Sequence, residues 1–287
     1  MLTATVEAGA ISDHDRPSPP VPWWSLTKTA LAAGALALAA EGRLALDAPL
    51  RDRPFTLRQL LQHTSGLPDY GGLAAYHEAV ARNEEPWQDG LLLQRVGAET
   101  LQFAPGAAWA YSNVGYLFVR RLIEGAAGSD IGTALHGLVL APLGVPGVRL
   151  AANPGDLSTT AWGNASGYHP GWVCHSLLVG TPAEAALFFD RLLAGRLLPA
   201  ALMDAMLDCR PIGGPVAGRP WRAPAYGLGL MADDVPPLGR CLGHSGAGPG
   251  STAAAYHFPG LDPPRTVAAF ARLDDVGFVE RAALAVP

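Results

Sequence analysis

Hydrophobic and polar positions divide the 287-residue chain into stretches of different period. "LTATVEAGAIS" near the start alternates as a short strand does. The turn-rich "DHDRPSPPVP" follows, and its prolines keep residues 17 to 22 extended as far as Trp23 and Trp24. From Ser25 to Glu41 the chain is almost all Ala and Leu, strong helix formers, and Gly42 suits the position just past a helix end. A helix apolar all round must be enclosed by protein, so it belongs at the centre of the fold. Residues 43 to about 170 read as mainly helical with loops, including "TLRQLLQHTSG", "NVGYLFVRRLIEGAAG" and "DIGTALHGLVLAPLG". In "TPAEAALFFDRLLAG", Thr181 can cap a helix, Pro182 suits its first turn, and Glu184 stands three residues after the cap. From Tyr226 the period changes: "AYGLGLM", "STAAAYHF" and "RTVAAFARL" predict short strands and "GFVERAALA" a brief closing helix.

Strands at both ends with helices between predict an α/β (α+β) fold, an antiparallel sheet flanked by helices with an inserted mainly helical region. The expected division is a discontinuous α/β domain from 1–48 and 176–287, interrupted by a helical domain at 49–175. Composition fits a well-buried globular chain, 49% hydrophobic and 16% charged. A net charge of −5 and the absence of any basic run give no support for a nucleic-acid binder and point to a smaller ligand. The apolar run from Thr29 to Ala40 is too short to span a bilayer. The acidic start is a poor signal peptide, which predicts a cytoplasmic location. Cys174, Cys209 and Cys241 form no metal pair or disulfide framework and are expected as buried thiols.

Lys28 is the only lysine among 20 lysines and arginines. Unlike a guanidinium, an ammonium in apolar surroundings can give up its proton near neutrality. Ser25 and Lys28 are i and i+3, on one face of a helix whose orphan N–H groups would favour developing negative charge beside the hydroxyl. A desolvated amine can activate a serine. S-x-x-K by itself arises by chance about once in a chain of this size, and a capping serine with a surface lysine is the bland alternative. Tyr111 and Asn113, two apart in a loop before a helix, can send a phenol and a carboxamide into one pocket; a core aromatic and a helix cap are the ordinary readings of each. His244 lies just before a glycine-rich turn, where a strand end can offer backbone N–H groups to a carbonyl oxygen.

Taken together, "SLTK" (25–28), "YSN" (111–113) and "HSG" (244–246) resemble the signature set of the serine β-lactamase and penicillin-binding protein superfamily, most closely its class C-like esterase and D-aminopeptidase branch. "LLQHTSGLPDY" (60–70), "FAPGAAWAYSNVGY" (103–116) and "YGLGLM" (226–231) carry the same resemblance, which runs from about residue 17 to 273. It implies that Ser25 is the acylated nucleophile, Lys28 its base partner, and Tyr111 a phenol, ionised or sharing its proton with Lys28. Asn113 would contact a substrate amide, and Ser245, Gly246 and Ala247 would line the substrate strand. His244 would stand where lactamases have a lysine, and the backbone N–H groups of Ser25 and Ala247 would form the oxyanion hole. A histidine at 244 makes recognition of a substrate carboxylate weaker or dependent on pH, as in esterases and amidases. The family usually begins with a further helix and strand and ends in a longer helix, so a smaller sheet is expected; many relatives are exported.

The expected substrate is a small ester, amide or short peptide, with an acyl acceptor other than water as a second possibility and with no cofactor or metal. Transfer to such an acceptor, or a non-catalytic penicillin-binding sensor, is the alternative to hydrolysis. Of the remaining candidates, His63 is expected to brace a turn, His257 to sit on a strand face, and Asp233 and Asp234 to form a solvated turn. His169 and His175 lack a third ligand at metal-site spacing. Trp162, Tyr168 and Trp172 fit a pocket wall or ordinary packing equally well.

Overall fold

The computed structural model describes residues 1–12, 18–164 and 167–285. It opens with a hairpin, β1 (Leu2–Glu7) and β2 (Ala10–Ile11), then β3 (Val21–Pro22), a 3₁₀ turn at Trp24–Leu26 and α1 (Thr27–Ala40). Helices α2 (Leu57–Leu61), α3 (Ala74–Ala81), α4 (Asp89–Arg95), α5 (Asn113–Ala127) and α6 (Ile131–Leu135) follow, the last running into a π-helical turn at His136–Leu140. Next come β4 (Arg149–Leu150), α7 (Pro154–Ser158), β5 (Leu178–Gly180), α8 (Pro182–Leu193) and α9 (Ala200–Leu207). The chain ends with β6 (Arg210–Pro211), β7 (Ala225–Tyr226), β8 (Met231–Val235), β9 (Gly239–Gly248), β10 (Ser251–Phe258), β11 (Arg265–Ala271) and α10 (Val276–Leu284).

The eight-stranded sheet has the order β2-β1-β11-β10-β9-β8-β7-β6, antiparallel throughout, so strands from both ends of the chain meet where β1 pairs with β11. A small sheet of β3, β5 and β4 ties the segment before Trp23 to the segment before α8. One face of the large sheet packs on α8 and the helical region, the other on α10, giving two buried clusters. This is the mixed architecture expected. The residues 18–22 before Trp23 include strand β3, whereas residue 17, also expected to be extended, lies outside the described residues.

α1 is enclosed on nearly every side, including Lys28, which is fully buried. Its α-helix starts at Thr27 rather than at Ser25 because Trp24–Leu26, with Trp24 left-handed at φ +44°, forms a tighter 3₁₀ turn. Leu26 N–H closes a turn on Trp23 O at 2.9 Å instead. At the far end Gly42 takes φ +71°, the left-handed stop that only glycine adopts freely. α8 has the capping box read from Thr181 and Glu184, with Pro182 in its first turn.

Three expectations are corrected. His244 is inside β9, four residues before its end, and the turn falls at Pro249–Gly250. Asp233 and Asp234 are not a solvated turn: they lie on β8, and the buried Asp233 carboxylate accepts from the N–H groups of Arg222 (2.7 Å) and Ala223 (3.2 Å). Cys209 is only half-buried, while Cys174 and Cys241 are buried as free thiols.

On the α10 side, Glu280 is fully buried and accepts from Arg219, from Trp221 Nε1 at 3.0 Å and from Tyr256 Oη at 3.3 Å. Removing Glu280 leaves the buried Trp221 and Tyr256 donors, and the partly exposed Arg219, without their acceptor. Glu280→Ala should therefore lower the unfolding free energy by about 3–5 kcal/mol, measured by urea denaturation; a loss below about 1 kcal/mol would show that the cluster contributes little.

Candidate active site

The left-handed turn at Trp24 lifts Ser25 out of α1 and into the seam between α1 and β9. Trp24 is held there by Nε1–H donation to Ser251 Oγ at 2.9 Å. β8 pairs with β9 only as far as Gly243, so His244–Gly248 has β10 on one side and the Trp24–Ser25 backbone against the other. Glycines permit that approach. A Cβ on Gly246 would lie 2.5 Å from Ser25 N, and one on Gly248 would lie 2.3 Å from the Trp24 ring. Gly246→Ala must push the Ser25 N–H away from the seam, and a displacement of this kind is expected to lower kcat/KM for a p-nitrophenyl ester about 10²-fold. An unchanged rate would dissociate the seam from activity.

Ser112 caps α5 by accepting from Gly115 N–H at 3.0 Å, so Asn113, the first residue of the helix, is free of the capping role. Tyr111, in the extended segment before it, donates its Oη–H to Ser25 Oγ at 2.9 Å. Lys28 Nζ lies 3.1 Å from Ser25 Oγ, 2.7 Å from Asn113 Oδ1 and 3.0 Å from His175 Nε2. Asp69 sets the orientation of the carboxamide, accepting from Asn113 N–H at 2.7 Å and from Nδ2 at 3.3 Å, which turns Oδ1 toward the amine. His63, with φ +57°, accepts from Ser112 N–H at 3.1 Å and stacks near Tyr111, the bracing part expected of it.

Burial governs the charges. Desolvation pulls Lys28 down to about 7, against the opposing fields of Cys174 and Asp69. The same burial raises the Tyr111 phenol above its usual 10.0, so it keeps its proton and donates it to Ser25. That disfavours the ionised phenol, one of the two states expected; near neutrality the proton-accepting group is the amine itself. His244 is pushed down to about 3, by burial first and then by Lys28 and Arg219. Its Nδ1 is 2.6 Å from Ser245 O, where it donates, and Nε2 accepts from Tyr226 Oη at 2.9 Å. The imidazole is therefore neutral at ordinary pH and supplies no cation, the weaker of the two outcomes expected for a lactamase lysine replaced by histidine.

Ser25 opens on two clefts. One, of about 450 Å³, is largely apolar and is walled by Trp109, Trp221, Tyr226 and Met231, with His244, Ser245, Gly246 and Ala247 along its strand edge. Its cation is Arg219, which donates to Ser245 Oγ at 2.9 Å and pairs with Glu280. The other, of about 240 Å³, is bounded by Tyr70, Tyr76, Tyr168, Asn113 and His175. Of the three aromatics left open by the sequence, Tyr168 forms cleft wall and Trp172 packs, with Nε1–H on Glu84 O at 3.2 Å. Trp162 borders a separate cavity beside Trp24.

All eight residues singled out in the sequence gather at this point. Asp69, His175 and Arg219 were missed. Asp69 stands inside the quoted phrase "LLQHTSGLPDY", and in the sequence His175 is weighed only as a metal ligand beside His169. Arg219, 26 residues before Ser245, carries no local signal at all. His257 is on a strand face, as read, with Nδ1 2.8 Å from Thr266 Oγ1. Among the described residues no three His, Cys, Asp or Glu side chains form a metal-ligating group, and no helix is long and apolar enough to cross a membrane.

Comparison with known proteins agrees with this fold. The D-stereospecific amidohydrolase of a Streptomyces species has the same fold, with a TM-score of 0.79 at 23% identity, over 99% of this chain and 93% of that one. Esterase EstB of Burkholderia gladioli is 33% identical over 141 residues, 42% of this chain and 36% of the esterase. A D-aminopeptidase of Cereibacter sphaeroides is 28% identical over 228 residues, 76% of this chain and 42% of the peptidase. The chain thus spans less than half the length of these two relatives. The family profile described as Beta-lactamase matches residues 16–279, and the chain belongs to that family.

Proposed function

We propose that the chain is a serine hydrolase that cleaves a small ester or amide, with D-amino-acid amides as the favoured class, through an acyl-enzyme on Ser25. The observation that carries this reading is the position of Ser25 Oγ, 2.9 Å from a protonated phenol and 3.1 Å from an amine depressed to about 7. The neutral amine takes the Ser25 proton as Oγ bonds to the substrate carbonyl carbon. The developing oxyanion is assigned to the N–H groups of Ser25 and Ala247, the closely approached edge of the seam. As the tetrahedral intermediate breaks, Tyr111 protonates the departing alcohol or amine, and the Lys28 ammonium returns that proton. Water then attacks the acyl-enzyme, loses its proton to the same groups, and releases the acid.

The relatives support the substrate class by their names, esterase, D-aminopeptidase and D-stereospecific amidohydrolase. The site supports it as well: His244 is neutral and Arg219, the cation of the same cleft, is already paired with Glu280, whereas a dedicated penicillinase would hold the substrate carboxylate with a free permanent cation. Mass spectrometry after exposure to an activated ester, followed by turnover of D- and L-amino-acid amides, short-chain esters and a chromogenic cephalosporin, tests the reading. A transient Ser25 adduct with turnover of esters or D-amides supports it. A permanent adduct would indicate a sensor, and no adduct on a folded chain would end it.

A further inference from the structure

His175 has no part in the reaction above, yet it is fixed against the reacting amine. Its loop is pinned by Ser176 N–H on Val173 O at 2.7 Å and by Cys174 Sγ–H on Asn113 O at 3.4 Å. Both His175 and Lys28 are buried, with Nε2 and Nζ 3.0 Å apart. The other ring nitrogen, Nδ1, is buried with no hydrogen-bond partner, a cost that calls for a compensating role.

A neutral amine has two N–H bonds and one lone pair. Three atoms surround Lys28 Nζ: Ser25 Oγ, Asn113 Oδ1 and His175 Nε2. For the lone pair to meet the Ser25 proton, the two N–H bonds must go to the other two atoms, so both must accept. Asn113 Oδ1 does, because Nδ2 is spent on Asp69. His175 accepts only if its proton is on Nδ1, the nitrogen left without a partner. The other tautomer would aim an N–H at the lone pair and draw it away from the serine. We propose that His175 is a positioning residue: with Asn113 it accepts the two N–H bonds of Lys28 and so aims the amine's lone pair at Ser25 Oγ. The catalytic consequence rests on the hydrolase reading, but the geometry can be tested without it.

The groups around the amine are Asp69, Cys174, Tyr111, Tyr116, His63, His175 and His244. Burial, then the Lys28 charge, keeps all three histidines below their usual 6.5, and burial raises Cys174 to about 12, so Lys28 is the one of these shifted groups that titrates near neutrality. An acceptor favours the ammonium over the amine, because hydrogen bonds to charged groups are the stronger. Loss of the acceptor therefore moves the Lys28 midpoint down.

Since Lys28 is the only lysine, a chain labelled with ¹³C,¹⁵N-lysine gives a single Cε–Nζ signal whose titration is read directly. His175→Leu fills the space without an acceptor, and His175→Gln restores a carbonyl oxygen near the Nε2 position. The Leu variant is expected to lower the midpoint by about one pH unit and to slow acylation by p-nitrophenyl acetate about 10- to 100-fold, with little change in KM. Its acid limb should move down with the lysine signal, and the Gln variant should recover both. An unmoved midpoint in a folded Leu variant, or failure of Gln to restore it, overturns the proposal. Should the Leu variant not fold, the ¹⁵N shifts of His175 in the unmodified chain decide the matter: a proton on Nδ1 is expected, and one on Nε2 overturns it. If the lysine signal responds as expected while Ser25→Ala stays active, the hydrolase reading fails and the positioning role stands.

Discussion

Ser25→Ala is expected to remove the covalent adduct completely and to lower kcat/KM for p-nitrophenyl acetate by at least about 10⁴-fold, the scale of losing a nucleophile in an acyl-transfer site. The effect is large because the neighbouring groups converge on one atom. Tyr111 donates to Ser25 Oγ, and Lys28 Nζ is one hydrogen bond away. Without Oγ the phenol and amine have nothing to activate, so adding Tyr111→Phe or Lys28→Met to Ser25→Ala should cost little more. Groups that act as one unit show this non-additivity. The fold should survive, since the two hydrogen bonds lost, one from the phenol and one from the amine, are worth about 1 kcal/mol each. Activity above a tenth of the original on a folded Ser25→Ala chain would place the nucleophile elsewhere.

How much of this was legible in the sequence depended on the range of the interaction. α1, α5 and α8 were readable because their signals are local: an apolar run ending at Gly42, a helical period after Asn113, and a Thr181–Glu184 box. Ser25, Lys28, Tyr111 and His244 were readable because the family phrases hold them at fixed short spacings. The start of α1 was read two residues early, because nothing local shows that Trp24 must be left-handed; that conformation follows from β9 packing on it across more than two hundred residues. His244 was placed near a strand end because Gly246 and Gly248 read as turn residues. In the fold they are strand residues whose missing side chains admit Trp24 and Ser25. Arg219 and His175 act through partners brought by topology alone, and the protonation of Tyr111 depends on burial, which no motif encodes.

Replacing Lys28 by methionine separates what this residue does for chemistry from what it costs the fold. Activity should fall about 10²- to 10⁴-fold with the loss of a general base, and Lys28→Arg should be comparably poor because a guanidinium cannot release its proton. The stability effect has the opposite sign and a defined pH dependence. In the folded chain the Lys28 pKa drops from 10.5 to about 7, so between those values the unfolded chain holds a proton that the folded chain lacks. More protons bound in the unfolded state mean that stability rises with pH across this window. Below about 7 the folded chain carries a buried ammonium at full cost, on the order of 5 kcal/mol for a shift of this size, and the cost fades as the pH climbs toward 10.5. Methionine carries no such penalty, though it leaves Asn113 Oδ1 and His175 Nε2 without the amine and gives back part of the gain. Those losses do not change with pH over this range, whereas the lysine term does. The unfolding free energy of the variant minus that of the original chain should therefore be about 3 kcal/mol larger at pH 6 than at pH 9.5, measured by urea denaturation at both values. A difference that stays flat would mean that the ammonium is not depressed by burial, and the amine would then hold its proton too tightly to activate Ser25.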